Sequence, residues 1–142
     1  MINHHGRGSG DSPRNPFERL HVEDDLDAIE SLRFSDPEWQ PPSPKTQFFT
    51  DDSQSVMSKN TSPDIPFDYS LNPYRGCEHG CAYCYARRTH EYLGWNAGID
   101  FESRILVKEN AAELLQDELN RMREPPSTLN CSGVTDPYQP VE

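Results

Sequence analysis

From residue 67 onward the apolar positions fall into short regular patterns. Phe67, Tyr69 and Leu71 alternate with polar residues in FDYSL, the period of a half-buried strand, and Pro73 and Gly76 end it in a loop. ARRTHEYLG then offers one or two helical turns closed by Gly94, and RILVK at 104–108 is a brief apolar run. Ala112, Leu115, Leu119 and Met122 recur at helical steps and predict a helix over 110–123. Asn110 stands at its start with Glu113 three residues on, the reciprocal capping arrangement, while Arg121 and Arg123 suit the negative end of the dipole and Pro125-Pro126 stops the helix. STLNCSGV predicts a second strand, and TDPYQPVE a polar loop. The order strand, loop, helix, strand, loop is that of an α/β chain with parallel strands. In such sheets ligands collect at the carboxyl ends, where the loop after Leu71 and TDPYQPVE both fall.

Before residue 67 the pattern thins. Eight of the 13 prolines lie there, with 12 acidic against 6 basic side chains, so residues 1–66 are expected to be a largely disordered acidic leader and 67–142 the folded part. One helical pattern interrupts the leader: Val22, Leu26, Ile29 and Leu32 predict a short amphipathic helix near 22–33, either transient or docked on the folded part.

Composition narrows the class. With 142 residues and only 33% of them hydrophobic, the chain has room for one domain with a small core. A net charge of −11 argues against a broad basic face for nucleic acid, although Arg75, Arg87 and Arg88 could form a local basic pocket. The N-terminus lacks the apolar stretch of a secretory signal, and no segment approaches a membrane span. The expected compartment is the cytoplasm, where thiols stay reduced and clustered cysteines hold metal more often than they pair.

Three of the four cysteines, Cys77, Cys81 and Cys84, fall in RGCEHGCAYCYARRTH with the spacing C-x3-C-x2-C. Gly76 and Gly80 allow a loop to curl so that three sulfurs face one centre. Thiolates select zinc, copper(I) or iron–sulfur clusters. Zinc would need a fourth ligand, which His79 or His90 could supply, giving a non-catalytic zinc-binding interaction module. An iron–sulfur cubane held by three cysteines instead leaves one iron open. His79 has two readings, a hydrogen bond to a cluster sulfur or a solvent-facing ring. Tyr74, Tyr85 and Tyr92 are expected to pack around the loop, and Cys131 to be a buried thiol in its strand.

The triplet, with Tyr83 just before the third cysteine, resembles the signature of the radical SAM superfamily. NPYRGCEHGCAYCYARRTHEYLG, DFESRILVKENAAELL and TDPYQP are similar to its DNA-repair-photolyase-like subgroup, which includes spore photoproduct lyase. The likeness covers roughly residues 60–142, with weaker traces at GRGSG and PKTQFF. The resemblance implies the beginning of a partial (β/α)6 barrel. It implies a [4Fe-4S] cluster on Cys77, Cys81 and Cys84, with S-adenosylmethionine bound to the open iron and cleaved reductively to a 5′-deoxyadenosyl radical. Tyr83 would lie near the adenine. Thr135 and Asp136 are candidates for the methionine amino group, although Asp136-Pro137 could equally set a turn. An electron donor such as flavodoxin or ferredoxin is implied; the substrate is not, and DNA repair does not transfer. A barrel needs more βα units than this chain supplies, so the chain is expected to be the first part of a longer protein, inactive by itself.

Overall fold

A computed structural model describes residues 6–10, 12–17, 25–39 and 44–141. It is a mixed α/β structure with two three-stranded sheets. Strands β1 (Gln47–Thr50), β2 (Met57–Lys59), β3 (Tyr69–Leu71), β4 (Tyr74–Arg75), β5 (Arg104–Val107) and β6 (Leu129–Cys131) are joined by helices α1 (Leu26–Ser35), α2 (Ile99–Ser103) and α3 (Ala111–Arg121) and by a 3₁₀ helix, Tyr85–Leu93. One sheet has the order β1-β5-β4 and the other β2-β3-β6.

The parallel pair expected from the strand–helix–strand order is present. β3 runs parallel to β6, with Tyr69 opposite Leu129 and Leu71 opposite Cys131. A second parallel pair, β1 with β5, sets Gln47 opposite Arg104. Both β1 and β2 lie inside the segment expected to be a disordered leader. Short strands with exposed faces leave little periodicity to read, and QFFT is exposed along its whole length. What fixes them is pairing: β1 adds to the edge of β5, and β2 lies antiparallel to β3, with Met57 opposite Leu71. The sheets divide at Asn72-Pro73, where the Asn72 amide still donates to the Val56 carbonyl (3.1 Å) and Pro73 accepts from the Lys108 amide (3.0 Å).

The helices depart from expectation in detail. α1 starts at Leu26 because the Asp25 carboxylate takes the Ala28 amide (3.0 Å), a strong N-cap; Val22 lies outside the described residues, and α1 buries no side chain. α3 lacks the reciprocal cap, since the Asn110 side chain makes no capping bond. Its half-buried face carries Leu114, Leu115, Glu118 and Leu119, whereas Ala112 is exposed. Glu118 explains this rotation: its carboxylate reaches over to the Val56 (2.7 Å) and Met57 (3.3 Å) amides at the start of β2.

The buried centre lies beneath the cysteines. Phe101 and Ile105 are 0% exposed, and Phe101 packs with Ala86 and Cys77 while Cys84 and Val134 close on this group. Burial of each such large apolar side chain is worth about 1.5–3 kcal/mol, so the first cysteine is anchored by the same contacts that stabilise the fold. Among the described residues no helix is long and apolar enough to cross a membrane.

Candidate functional site

The cysteine loop leaves β4 and is pinned at its first residue. The Cys77 amide donates to the Phe101 carbonyl (2.9 Å), the Gly80 amide to the Cys77 carbonyl (3.1 Å) and the Cys84 amide to the Cys81 carbonyl (3.2 Å), so the chain turns twice within eight residues. Gly76 (φ 85°) and Gly80 (φ 62°) occupy the left-handed region that these turns require and that a side chain would strain. All four cysteines are free thiols.

Cys77, Cys81 and Cys84 line one open cavity of about 500 Å³, whose other wall is Gly133, Val134, Thr135 and Asp136 from the loop after β6. The volume lies within the roughly 300–1,000 Å³ of small-molecule sites. This meeting follows from topology, since β3 and β6 are parallel and the chain beyond their carboxyl ends walls the cavity from both sides. Two residues without a recognisable sequence signal fix the far wall. Asn72 Oδ1 accepts the Gly133 (3.0 Å) and Val134 (3.2 Å) amides. Buried Gln139 accepts the Glu78 amide (2.9 Å) and donates to the Asp136 carbonyl (3.0 Å), clamping the two walls together.

The expected site residues are distributed unevenly. Thr135 and Asp136 face the cavity. Asp136 also sets a turn, because its Oδ1 accepts the Tyr138 amide (2.9 Å), and its Oδ2 lies 3.5 Å from His79 Nε2. His79 lines the cavity with Nε2 3.1 Å from the Tyr138 carbonyl, so that nitrogen carries the hydrogen. Tyr83 is 90% exposed and outside the cavity lining. A hydrogen bond with the Cys81 sulfur pushes the phenol above its ordinary value. Tyr74 is buried, but Tyr85 and Tyr92 are exposed, and Tyr85 donates its hydroxyl to the Gly133 carbonyl. Cys131 is exposed, not buried, because β6 ends the sheet and its last residue turns outward.

The three arginines do not assemble a basic pocket. Arg75 pairs with buried Asp51 (3.0 Å) on the other side of β4. Arg87 is buried and uses all five of its donors: Nε to the Cys81 carbonyl (2.9 Å), Nη1 to those of Ala97 (3.3 Å) and Gly98 (2.8 Å), and Nη2 to the Gly80 carbonyl and to Glu102 (3.0 Å). Its guanidinium is therefore the brace of the cysteine loop. Only Arg88 of the three is exposed. Glu102, 1% exposed, anchors this brace. His90 lies below Gly76, fully buried, with Nε2 3.0 Å from the Arg104 carbonyl; burial pushes its pKa down to about 4, so it is neutral at pH 7.

No three of the described His, Cys, Asp and Glu side chains converge on a point that one metal ion would occupy. A cluster asks something different, because each thiolate reaches a separate iron. Three free thiols spread around one cavity, on a loop braced from behind, fit that demand.

No protein-family model matches the chain, and no solved structure matches it. It is similar to uncharacterized proteins of Mycobacterium bovis and Mycobacterium tuberculosis, 49% identical over 78 residues, which is 55% of this chain and 23% of each relative. An uncharacterized protein of Methanocaldococcus jannaschii is 32% identical over 77 residues, 52% of this chain and 26% of the relative. The match thus spans about a quarter of the length of these curated relatives.

Proposed function

We propose that the chain is part of a radical SAM protein in which Cys77, Cys81 and Cys84 hold a [4Fe-4S] cluster and the 133–136 loop receives S-adenosylmethionine. The observation that carries this reading is the shared cavity: three unpaired thiols on one wall, and on the other the Thr135 hydroxyl and Asp136 carboxylate, both able to accept from an ammonium group. Bound and reduced, such a cluster would supply the electron that breaks the sulfonium C–S bond of S-adenosylmethionine, giving methionine and a 5′-deoxyadenosyl radical. The chain's own residues hold and orient. Arg87 fixes the Gly80 and Cys81 carbonyls, Asn72 fixes the Gly133 and Val134 amides, and Gln139 keeps the two loops at a set separation. In this reading the α/β core is the opening of a partial (β/α)6 barrel. A cytoplasmic location and a flavodoxin- or ferredoxin-type reductant accompany this reading.

The test is anaerobic reconstitution with iron and sulfide, followed by metal analysis and electron paramagnetic resonance. A brown protein with about four irons per chain, whose reduced signal shifts on adding S-adenosylmethionine, is expected. Cys81→Ala should abolish iron uptake and Cys131→Ala should leave it unchanged. A colourless protein holding one zinc would replace the proposal with a zinc module.

A further inference from the structure

Residues 6–10, GRGSG, contain no apolar side chain and by composition belong to a solvated leader. They lie instead against the back of the cysteine loop. Gly8 approaches so closely that a Cβ there would overlap the Gly80 carbonyl oxygen. Its amide donates to Glu102 Oε2 (3.2 Å), the same oxygen that takes Arg87 (3.0 Å). Arg7 donates to the Glu102 carbonyl (2.8 Å) and to the Glu78 carboxylate (2.9 Å), which Thr46 of PKTQFF also holds (2.7 Å). Farther along, buried Asn15 donates to the Glu91 (3.1 Å) and Trp95 (3.0 Å) carbonyls. The segment therefore grips the loop at residues 78 and 80, between the first and second cysteines, and is itself moored at the 3₁₀ helix.

Residues 6–10, without apolar side chains, have no hydrophobic burial of their own to hold them against the loop, and the apolar contact of the strap lies at its far end, where Phe17 stacks on Tyr92 (5.8 Å). The grip of residues 6–10 consists of directional bonds, several of them to charged groups, whose partners are in place only while the loop is curled. Docking of the segment and curling of the loop then favour each other, and any ligand that favours the curl must favour the docking by the same factor.

We propose that residues 6–10 and 12–17 belong to a strap coupled to the cysteine loop: its docking holds Cys77, Cys81 and Cys84 ready for the cluster, and a bound cluster holds the strap down. This inference rests on the cluster reading above. Arg7 and Gly8 are positioning residues, since neither lines the cavity of the cysteines.

Hydrogen–deuterium exchange of peptides covering 6–17 and 77–87 tests it in the full chain, both metal-free and loaded anaerobically with iron and sulfide. Loading should slow exchange in both peptides. Arg7→Ala, which loses a charge-assisted bond, should speed exchange at 77–87 and shorten iron retention against a ferrous chelator by about tenfold, with Arg7→Lys recovering part of it; Gly8→Ala, whose Cβ would overlap the Gly80 carbonyl oxygen, should act in the same direction. If loading leaves 6–17 unchanged and both variants keep iron as long as the wild type, the strap is passive and the inference fails. If the wild type takes up no iron, the cluster assignment fails instead, and the metal-free comparison still decides whether strap and loop are coupled: unchanged exchange at 77–87 in the variants overturns it.

Discussion

Acidification should destabilise the fold through His90. The ring is 0% exposed, sits 5.1 Å from Trp95 and 5.5 Å edge-on from Phe101, and donates from Nε2 to the Arg104 carbonyl (3.0 Å). Its other nitrogen, Nδ1, makes no hydrogen bond among the described residues, and burial outweighs the pull of the Arg104 and Asp100 carbonyls and the Asp100 charge toward a second proton. Burial lowers the pKa from 6.5 to about 4. A folded-state value below the unfolded one means that the unfolded chain takes up the proton first. The stability is fully present above pH 6.5, falls between 6.5 and about 4, and is constant below that. At 1.36 kcal/mol per pH unit the whole loss is about 3 kcal/mol, of which about 2 kcal/mol falls between pH 7 and pH 5. That is a large part of the roughly 5–15 kcal/mol by which domains are stable. Asp51, the other deeply buried acid with a shifted value, does not interfere. Burial would raise its carboxyl, but bonds from Ser53 and the charges of Arg75 and Lys108 hold it below 3.8, so it stays ionised throughout this range. Urea unfolding of the wild type and of His90→Gln, which keeps a neutral N–H, at pH 7 and pH 5 measures the effect. The wild type should lose about 2 kcal/mol more than the variant; equal losses would refute the reasoning.

Other expectations follow from the polar network behind the cavity. Asn72→Ala removes the acceptor of the Gly133 and Val134 amides, so S-adenosylmethionine binding should weaken about tenfold while iron content stays at the wild-type level; calorimetric titration of the loaded protein reads the first and metal analysis the second. Asp51→Asn leaves buried Lys108 (3.7 Å away) without its counter-charge and should cost about 3–5 kcal/mol in denaturant unfolding. Lys108→Met should cost less, because Arg75 still pairs with Asp51 at 3.0 Å, and in the double variant part of the Asp51→Asn loss should return.

Local rules determined a good part of this protein from its sequence. Alternation in FDYSL marked β3, helical spacing and Pro125-Pro126 bounded α3, and the order of elements implied that β3 and β6 run parallel. The C-x3-C-x2-C spacing, with glycines at 76 and 80, marked the loop that curls, because turns and metal spacings are written in neighbouring residues. Tertiary structure alone decided the rest. β1 and β2 are ordered by partners ten or more residues away, and GRGSG is held by Glu102 and Glu78, so low hydrophobicity did not mean disorder there. Glu102, Asn72 and Gln139 were unremarkable in sequence because a polar side chain carries no periodic mark, and Arg87 was marked there only as part of a basic pocket, not as a brace. Each acquires its role only when the fold brings a distant carbonyl, amide or carboxylate within about 3 Å of it, the reach of a hydrogen bond.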